Sequence, residues 1–526
     1  MEKIMGVIAR QSIKGARANY LGVAIGFVTT FFVVTRYLTT EEVGLTRVMV
    51  DAATLFSSLA MLGCGSSLVR FFPWFKTHSP LSADGGATEE SQKIPFHGVF
   101  GLAVLLPMVG FTLFGLAFLL FRGQLLEVYG KESPLLTNYF YLIPMLTFFA
   151  LYLTMFETCA SVLMRITMAK MVREVGIRAF NLIAYLLYGY DLIDLDTFVW
   201  FFCGSYGLAM LLNVFYFYRI SGIKFKELFK VDWHFLKEGG RWKEMLYFTL
   251  FVTMMALMGN VPLMSSLFLG AKTGLGVTGV YTIAFFIANV VEVPYRSLGA
   301  ISRPVIAGAV KEGNWAEVNR LSREVSLHQL LVSLLIFLVI WINLDALFEL
   351  IPNGADYKDG KWVVFILGMA KVINSSLSIS SDVMNFSRSY LWLLPLSAVL
   401  LVSAIGLNME LIDVWGINGA ASATLISYLL YYVLLLSMLW WRVKVSVFSV
   451  GQLKVLAVIG LCFALGHAWS LWLTPLTGAV MGGIAGLLFD AALKTMLIGG
   501  LAAVAVYGWR VSTTVNEIVK KTLHIQ

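Results

Sequence analysis

The sequence predicts an all-α, polytopic membrane protein, and three observations support that prediction. Of the 526 residues, 59% are hydrophobic and 13% are charged, whereas soluble domains carry about 25% charged residues. The mean hydropathy is +0.80. Apolar stretches of about twenty residues, the length that a helix needs to cross a bilayer core, recur along the whole chain. This composition excludes a soluble protein.

We expect fourteen transmembrane helices, one for each long apolar stretch. Their approximate ranges are 18–38, 43–71, 96–121, 136–161, 175–193, 197–219, 245–270, 278–301, 326–345, 362–385, 390–411, 416–441, 453–473 and 488–509. Because this number is even, both termini lie on the same side of the membrane.

The basic residues predict which side that is. A net charge of +8 would indicate nucleic-acid binding in a soluble protein, but in a membrane protein Lys and Arg collect in the cytoplasmic loops. When both termini are placed in the cytoplasm, most of the 39 lysines and arginines fall in the inner loops and their flanks. We therefore expect cytoplasmic termini and no nucleic-acid partner.

The order of the spans indicates two similar halves. In the longest break, residues 220–244, apolar residues recur at helical spacing among lysines, which is typical of an amphipathic helix on the inner leaflet. Residues 42–45 and 278–281 open spans two and eight in similar ways, and repeated bundles of spans are a common transporter design. The predicted division is a six-helix lobe at 1–223, an amphipathic cytoplasmic linker at 224–244, a second six-helix lobe at 245–445, and an additional helix pair with a cytoplasmic tail at 446–526.

Several patterns do not indicate a site. The four cysteines lie in apolar runs without a CxxC motif, as small core residues do. The six histidines lack metal-ligand spacing. A GxGxxG match at 274–279 has no strand before it and is typical of a turn. With no P-loop in the sequence either, we expect no metal, no cofactor and no ATP hydrolysis.

Charged residues inside the predicted spans are the first candidates for function. Charge within hydrocarbon costs at least about 2.5 kcal/mol on insertion scales and is rare unless it faces a bundle interior or a cavity. Arg47 and Asp51 lie four residues apart in span two. They fit either an ion pair on one helix face or a role in transport.

Spans eight and ten carry further charges. Lys371 lies about 14 Å into span ten at the helical rise per residue, where it either faces a cavity or pairs with a carbonyl or with Asp382. Glu292 and Arg296 repeat the four-residue spacing in span eight, with Pro294 between them. They fit an interfacial pair as well as a functional one.

The remaining candidates lie at the inner ends of spans. Glu157 closes span four and Asp382 closes span ten, and both fit interfacial pairing or a functional role. Lys14 and Arg17 precede span one. They fit ordinary cytoplasmic anchors or contacts to an anionic headgroup.

Three short motifs, together with the span count, resemble those of a known family. They are residues 36–45 (RYLTTEEVGL), residues 68–73 (LVRFFP) and residues 416–424 (GINGAASAT). In their order and spacing the whole chain resembles the polysaccharide and O-antigen flippases of the multidrug/oligosaccharidyl-lipid/polysaccharide (MOP) exporter superfamily.

The resemblance implies a transporter in the bacterial cytoplasmic (inner) membrane. Such a flippase moves an undecaprenyl-pyrophosphate-linked oligosaccharide to the periplasmic leaflet by alternating access of two lobes, for surface polysaccharides such as the lipopolysaccharide O-antigen. Its expected partners are this lipid-linked substrate, membrane lipids and other membrane proteins of glycan assembly. Coupling to a proton or sodium gradient is usual in the family.

The resemblance also implies roles for residues, which are assigned here by position. A phosphate that passes through a low dielectric needs fixed positive partners. The candidate pyrophosphate-binding residues are Arg17, Arg47, Arg296 and Lys371. The candidate residues for cation coupling are Asp51, Glu157, Glu292 and Asp382.

One departure and two rival functions accompany this hypothesis. Many relatives have an acidic residue late in span seven, where residues 264–270 (MSSLFLG) carry none.

A drug/cation antiporter of the same superfamily is the first rival. The second is a membrane enzyme of glycan assembly, which the short outer loops and the absence of paired catalytic carboxylates disfavour. We therefore expect a transporter that is not an enzyme.

Overall fold

The structure is a computed structural model that describes residues 22, 24–77, 95–223, 230–233, 241–474 and 483–509. Every regular element among these residues is a helix. The chain packs as two compact units, Met1–Gly279 and Val280–Gln526. The prediction of an all-α, polytopic membrane protein is confirmed.

The first unit is built from eleven labelled helices among its described residues. They are α1 (Ala24–Tyr37), α2 (Thr40–Ala60), α3 (Cys64–Thr77), α4 (Val99–Glu132), α5 (Pro134–Tyr139), α6 (Leu142–Val162), α7 (Ile166–Met171), α8 (Ile177–Gly189), α9 (Leu195–Ser221), α10 (Trp242–Gly259) and α11 (Val261–Lys272). A π-helical turn, Val172–Gly176, joins α7 to α8.

Helix α2 begins where local chemistry satisfies its first backbone groups. The Thr39 hydroxyl accepts a hydrogen bond from the Glu42 amide at 3.3 Å, and the Glu42 carboxylate accepts one from the Thr39 amide at 2.8 Å. This reciprocal arrangement is a capping box. The same carboxylate accepts a hydrogen bond of 2.5 Å from the Tyr188 hydroxyl on α8. Thr39 and Glu42 therefore cap α2, and Glu42 also joins α2 to α8 through the Tyr188 hydroxyl.

Within the first unit, Gly44 and Gly279 lie where two stretches of backbone approach closely. A Cβ at Gly44 on α2 would collide with the Leu275 carbonyl and approach the Gly279 amide, and a Cβ at Gly279 would collide with the Thr40 carbonyl. Glycine at both places lets two helix backbones approach closely, as in membrane packing through small residues.

The core of the first unit is aromatic. Phe71, Phe72 and Phe75 on α3 are buried against Phe100 on α4 and Phe217 on α9. Ring pairs such as Phe72–Phe100 and Phe100–Phe217 have centroids 5.6 and 5.1 Å apart, within the range of favourable tilted contacts. Dispersion contacts between such rings hold the helices in register.

The second unit continues the same architecture. Its labelled helices are α12 (Leu275–Asn289, which begins in the first unit), α13 (Val293–Lys311), α14 (Trp315–Ile342), α15 (Leu344–Leu350), α16 (Lys361–Phe386), α17 (Leu393–Val443), α18 (Val450–Trp472) and α19 (Gly483–Gly508). Its apolar core joins α14 to α16, α18 and α19.

Ten helices among the described residues are long and apolar enough to cross a membrane, against fourteen predicted spans. Spans one, five and seven fall on shorter helical pieces, and spans eleven and twelve both fall on α17. Span seven is divided at Asn260, just before Pro262, and α17 has a non-helical residue at Gly416. The count of fourteen stays a prediction.

The predicted lobe boundaries stay predictions as well. Most of the predicted linker, 224–229 and 234–240, lies outside the described residues. Helices α10 and α11, which the sequence placed with the second half, pack here against α2, and also against α3 and α4 respectively.

Candidate functional site

A polar cavity of about 420 Å³ lies within the first unit. Its size falls within the range of ligand pockets, about 300–1,000 Å³. Residues from α2, α6, α8, α9 and α10 line it, together with the π-helical turn. Ten of the eighteen lining residues have polar or charged side chains, with hydroxyl groups on one wall and charged groups on another.

Helix α2 supplies the hydroxyl wall because its small polar residues recur at helical spacing. Val50, Thr54, Ser57, Ser58 and Met61 all line the cavity, and positions four, seven and eight residues apart share one helix face. The Ser57 and Ser58 hydroxyls donate to the Thr54 carbonyl at 3.0 and 2.8 Å. Their oxygen lone pairs are left to accept hydrogen bonds from a ligand.

The π-helical turn and α8 supply the charged wall, beginning with Arg173. Its Nη1 lies 2.9 Å from Oε2 of Glu157 on α6. Arg173 and Glu174 both lie on the π-helical turn and both line the cavity. Such turns change the direction of side chains within a helix and are frequent at functional sites.

Arg178, on the first turn of α8, is the second cation of this wall. Its Nη2 lies 3.4 Å from Oε2 of Glu174, and its Nη1 donates a hydrogen bond to the Gly22 carbonyl. Two arginines and two glutamates therefore meet at this wall. Their formal charges balance, and each guanidinium has a carboxylate partner.

Two further groups give the cavity an acceptor and an aromatic face. Asn181 on α8 is buried, and its side-chain oxygen has no hydrogen-bond partner among the described residues. Tyr206 on α9 lines the cavity beside it. The site can thus bind anionic, hydroxyl-rich and apolar parts of one ligand.

Arg47 and Asp51 form the ion pair that their spacing allowed. Arg47 Nε lies 2.5 Å from Asp51 Oδ2, and the Ser266 hydroxyl on α11 donates to the same oxygen. Asp51 is buried. The carboxylate is therefore held by its own helix and by α11.

Lys371 pairs with a residue that the sequence interpretation did not consider as its partner. Its Nζ lies 3.2 Å from Glu292 Oε2 and 5.1 Å from the centre of the Phe285 ring. Asn374 donates to Glu292 Oε1 at 2.8 Å, and the Tyr432 hydroxyl donates to the Asn374 side chain at 2.8 Å. The result is a buried polar network within the second unit.

The other carboxylates named from the sequence also have basic partners. Asp382 accepts a hydrogen bond of 3.0 Å from Arg303, which donates to the Tyr295 hydroxyl at 2.7 Å. Glu157 pairs with Arg173, as described above. Arg17 and the side chain of Arg296 lie outside the described residues.

Sequence reasoning missed the charged wall of the cavity. Arg173 and Arg178 were counted with the cytoplasmic flank of span five. A signal was present, because Arg178 lies inside the predicted span 175–193 and Glu174 lies four residues before it, the spacing of a helical ion pair.

A second ion pair that the sequence did not predict lies in α19. Lys494 Nζ lies 3.2 Å from Asp490 Oδ2, and both residues are buried. Asp490 accepts hydrogen bonds from the Trp469 indole and the Thr474 hydroxyl, and Lys494 donates to the Ile342 carbonyl on α14. This cluster joins α18 and α19 to the end of α14.

Comparison with solved structures shows the fold. The structure titled "Lipid II flippase MurJ, inward closed conformation" is similar with a TM-score of 0.67 and 12% identity, over 95% of this chain and 100% of that one. An inward-facing multidrug resistance MATE family transporter of the MOP superfamily gives a TM-score of 0.57 and 15% identity, over 83% and 98%. A mutant of the Vibrio cholerae MATE transporter VcmN gives a TM-score of 0.50 and 12% identity, over 82% and 95%.

Comparison at the level of sequence shows the family. No curated protein sequence matches the chain. The family model described as "Polysaccharide biosynthesis protein" matches residues 12–308, more than half of the chain. The protein therefore belongs to the polysaccharide biosynthesis protein family, and it is a multi-pass membrane protein with the fold of the MOP superfamily.

Proposed function

We propose that this protein is a flippase that moves an undecaprenyl-pyrophosphate-linked oligosaccharide from the cytoplasmic to the periplasmic leaflet by alternating access, for surface polysaccharide synthesis. Its family membership supports a role in polysaccharide synthesis, and its fold supports a carrier rather than an enzyme. On this proposal it acts in the bacterial inner membrane with both termini in the cytoplasm. Its partners are the lipid-linked substrate, membrane lipids and other membrane proteins of glycan assembly.

The observation that carries the proposal is the pair of arginines, Arg173 and Arg178, at a polar cavity within apolar helices. A diphosphate that leaves water for a low-dielectric interior needs cationic partners. The planar guanidinium matches phosphate oxygens with two parallel hydrogen bonds. In this assignment the arginines bind the diphosphate, and the hydroxyl wall and Asn181 accept hydrogen bonds from the adjoining sugar.

The residues inferred from the family resemblance remain part of the proposal. Arg47 and Lys371, together with Arg17 and Arg296, would contact the pyrophosphate at other stages of transport. Arg47 and Lys371 are ion-paired here, so each would exchange its carboxylate for phosphate. Coupling to a proton or sodium gradient would use the carboxylates Asp51, Glu157, Glu292 and Asp382.

The test is the fate of the lipid-linked saccharide in cells. Deletion of the gene should cause inward-facing lipid-linked saccharide to accumulate, and the wild-type gene should restore export. Arg173→Ala with Arg178→Ala should reduce export by about tenfold or more, because charge-assisted hydrogen bonds contribute about 1.5–3 kcal/mol each. Arg320→Ala, which removes an exposed arginine of α14, is the matched control and should restore export fully.

Three results would overturn the proposal. The first is the absence of saccharide accumulation in every glycan pathway of the deletion strain. The second is a Lys371→Ala variant that abolishes drug efflux while glycan export continues, which would favour the drug/cation antiporter. The third is glycosidic bond formation by the purified protein, which would indicate an enzyme.

A further inference from the structure

The charged wall of the cavity presents a physical contradiction for an anion-binding site. Glu157 and Glu174 carry negative charge at the place where the proposed function brings a diphosphate. The carboxylates and a diphosphate in the same cavity repel each other strongly where little water is present to screen their charges. A wall built solely to attract phosphate would hold the two arginines without the two glutamates.

We propose that Glu157 and Glu174 are internal counterions that occupy Arg173 and Arg178 when the carrier is empty, and that the diphosphate of the substrate displaces them. This inference rests on the proposed function and deepens it. The carboxylates stand in for the phosphates while the empty carrier returns, and they compete with the bound substrate during release.

The energetic reason is the cost of an unpaired charge inside the membrane. A charge that loses its partner where little water can reach it costs free energy, and this cost rises with burial. Arg173 and Arg178 are half-buried and would incur part of it. An empty carrier whose arginines lost their phosphates would incur that cost at every cycle. The Arg173–Glu157 contact of 2.9 Å and the Arg178–Glu174 contact of 3.4 Å remove it.

The geometry permits the exchange. Side-chain exposures are 39% for Arg173 and 14% for Glu157, and 33% and 32% for Arg178 and Glu174. Each ion pair joins one nitrogen to one oxygen, and Arg178 Nη1 also donates to the Gly22 carbonyl. A guanidinium has five N–H donors, so the contacts shown among the described residues use only some of those on each arginine. Arg173, Glu174 and Arg178 line a cavity large enough for a ligand, and Glu157 contacts Arg173 beside it, so a diphosphate can approach the arginines from the open side.

Binding measurements on the full-length protein in lipid nanodiscs test the inference, with farnesyl diphosphate as the soluble probe. Glu157→Gln and Glu174→Gln keep the size of each side chain and remove its charge. Each variant should bind the probe about tenfold more tightly than the wild type, because a competing charge-assisted contact is lost. Each should also export saccharide more slowly in cells, because release is impaired.

Controls separate this inference from general damage. Glu317→Gln removes a carboxylate of an exposed ion pair outside the cavity and should change neither binding nor export. Monodisperse elution and an unchanged unfolding temperature establish that each variant is folded. A Glu157→Gln, Glu174→Gln double variant that is folded provides the same test if one single variant is not.

The outcomes distinguish the two proposals. If Arg173→Ala abolishes probe binding but the glutamine variants bind no more tightly than the wild type, the counterion exchange is wrong and the flippase proposal stands. If neither Arg173→Ala nor Arg178→Ala affects probe binding or export, the proposed diphosphate site is wrong, and the counterion exchange that rests on it is wrong as well. Tighter binding with faster export would also overturn the exchange, since it would show that the carboxylates do not assist release.

Discussion

At the scale of single residues, three ion pairs lie within the described apolar helices. Arg47 pairs with Asp51, Glu292 with Lys371 and Asp490 with Lys494. An isolated charge in hydrocarbon is costly, and pairing within the bundle interior reduces that cost. Each of these charges therefore has an oppositely charged partner within its own unit.

A double-mutant cycle on Lys371 and Glu292 tests this directly. Their side chains are 5% and 10% exposed, so either Lys371→Met or Glu292→Gln removes one member of a buried ion pair. Such a change costs about 3–5 kcal/mol in the free energy of unfolding. The double variant carries neither charge. Its loss in the free energy of unfolding should be smaller than the sum of the losses in the two single variants, with a coupling energy of about 0.5–3 kcal/mol. The measurement is equilibrium unfolding in mixed micelles.

The exposed pair Lys361–Asp345 is the matched control for this cycle. Its contact is 2.6 Å, but its side chains are 37% and 70% exposed, and exposed pairs contribute about 0–1 kcal/mol. Equal coupling in the two cycles would contradict the importance of burial.

At the scale of elements, the apolar stretches are interrupted at particular residues where the backbone leaves the helical conformation. Leu62 and Gly63, between α2 and α3, both have positive φ, of 48° and 67°. Asn260 separates α10 from α11. In α17, Gly416 has φ 54° and ψ −128°, a conformation that glycine adopts without a steric penalty. The chain therefore turns between apolar stretches with few loop residues.

Substitution of Gly416 tests whether that break is imposed by backbone conformation. Gly416→Ala places a Cβ in a region closed to other residues and should destabilise the protein by about 1–3 kcal/mol. Apart from its neighbours in the chain, no atom of the described residues lies within 4 Å of the Cβ position at Gly416, so a clash with them cannot be the cause. The measurement is the shift in thermal unfolding in detergent.

Gly406→Ala in the same helix is the control. The Cβ position there is also free of neighbours, and alanine in a helix interior should stabilise by about 0.5–1 kcal/mol. If the two variants shift the unfolding temperature equally, the break at Gly416 does not depend on glycine.

At the scale of the whole molecule, α18 and α19 complete the core of the second unit. Val455, Ile459 and Cys462 on α18, with Ile498 and Ala502 on α19, are buried with residues of α14. The Asp490–Lys494 cluster adds a polar connection from α19 to Ile342 at the end of α14. The C-terminal helix pair is therefore part of the folded unit.

Asp490→Asn should loosen this helix pair. Lys494 would stay charged and buried without its carboxylate, at a cost of about 3–5 kcal/mol, and the Trp469 indole would lose a charged acceptor. We expect faster hydrogen exchange across α18 and α19, measured by mass spectrometry. Lys454→Ala removes an exposed contact to the Trp509 carbonyl at the other end of the same helix pair, and it should leave hydrogen exchange unchanged. If both variants accelerate exchange equally, the Asp490–Lys494 cluster does not hold α18 and α19 in place.

The fold class could be predicted because the membrane imposes it. Without water to satisfy its backbone, a chain in hydrocarbon forms helices whose hydrogen bonds are internal, and composition and hydropathy identify such a chain. The family could also be predicted, since short motifs such as residues 36–45 keep their order along the sequence. The candidate site was predicted in part, as charged residues within spans.

The sequence by itself therefore determined an all-α membrane protein, its family and the four-residue spacing that allows Arg47 to pair with Asp51 on one helix face. The tertiary structure alone decided that Lys371 meets Glu292, 79 residues away, and that Glu157 meets Arg173 at a cavity. Local spacing follows from the geometry of one helix. Contacts between helices depend on how their faces pack, and the pattern of one sequence does not encode that arrangement in any local signal.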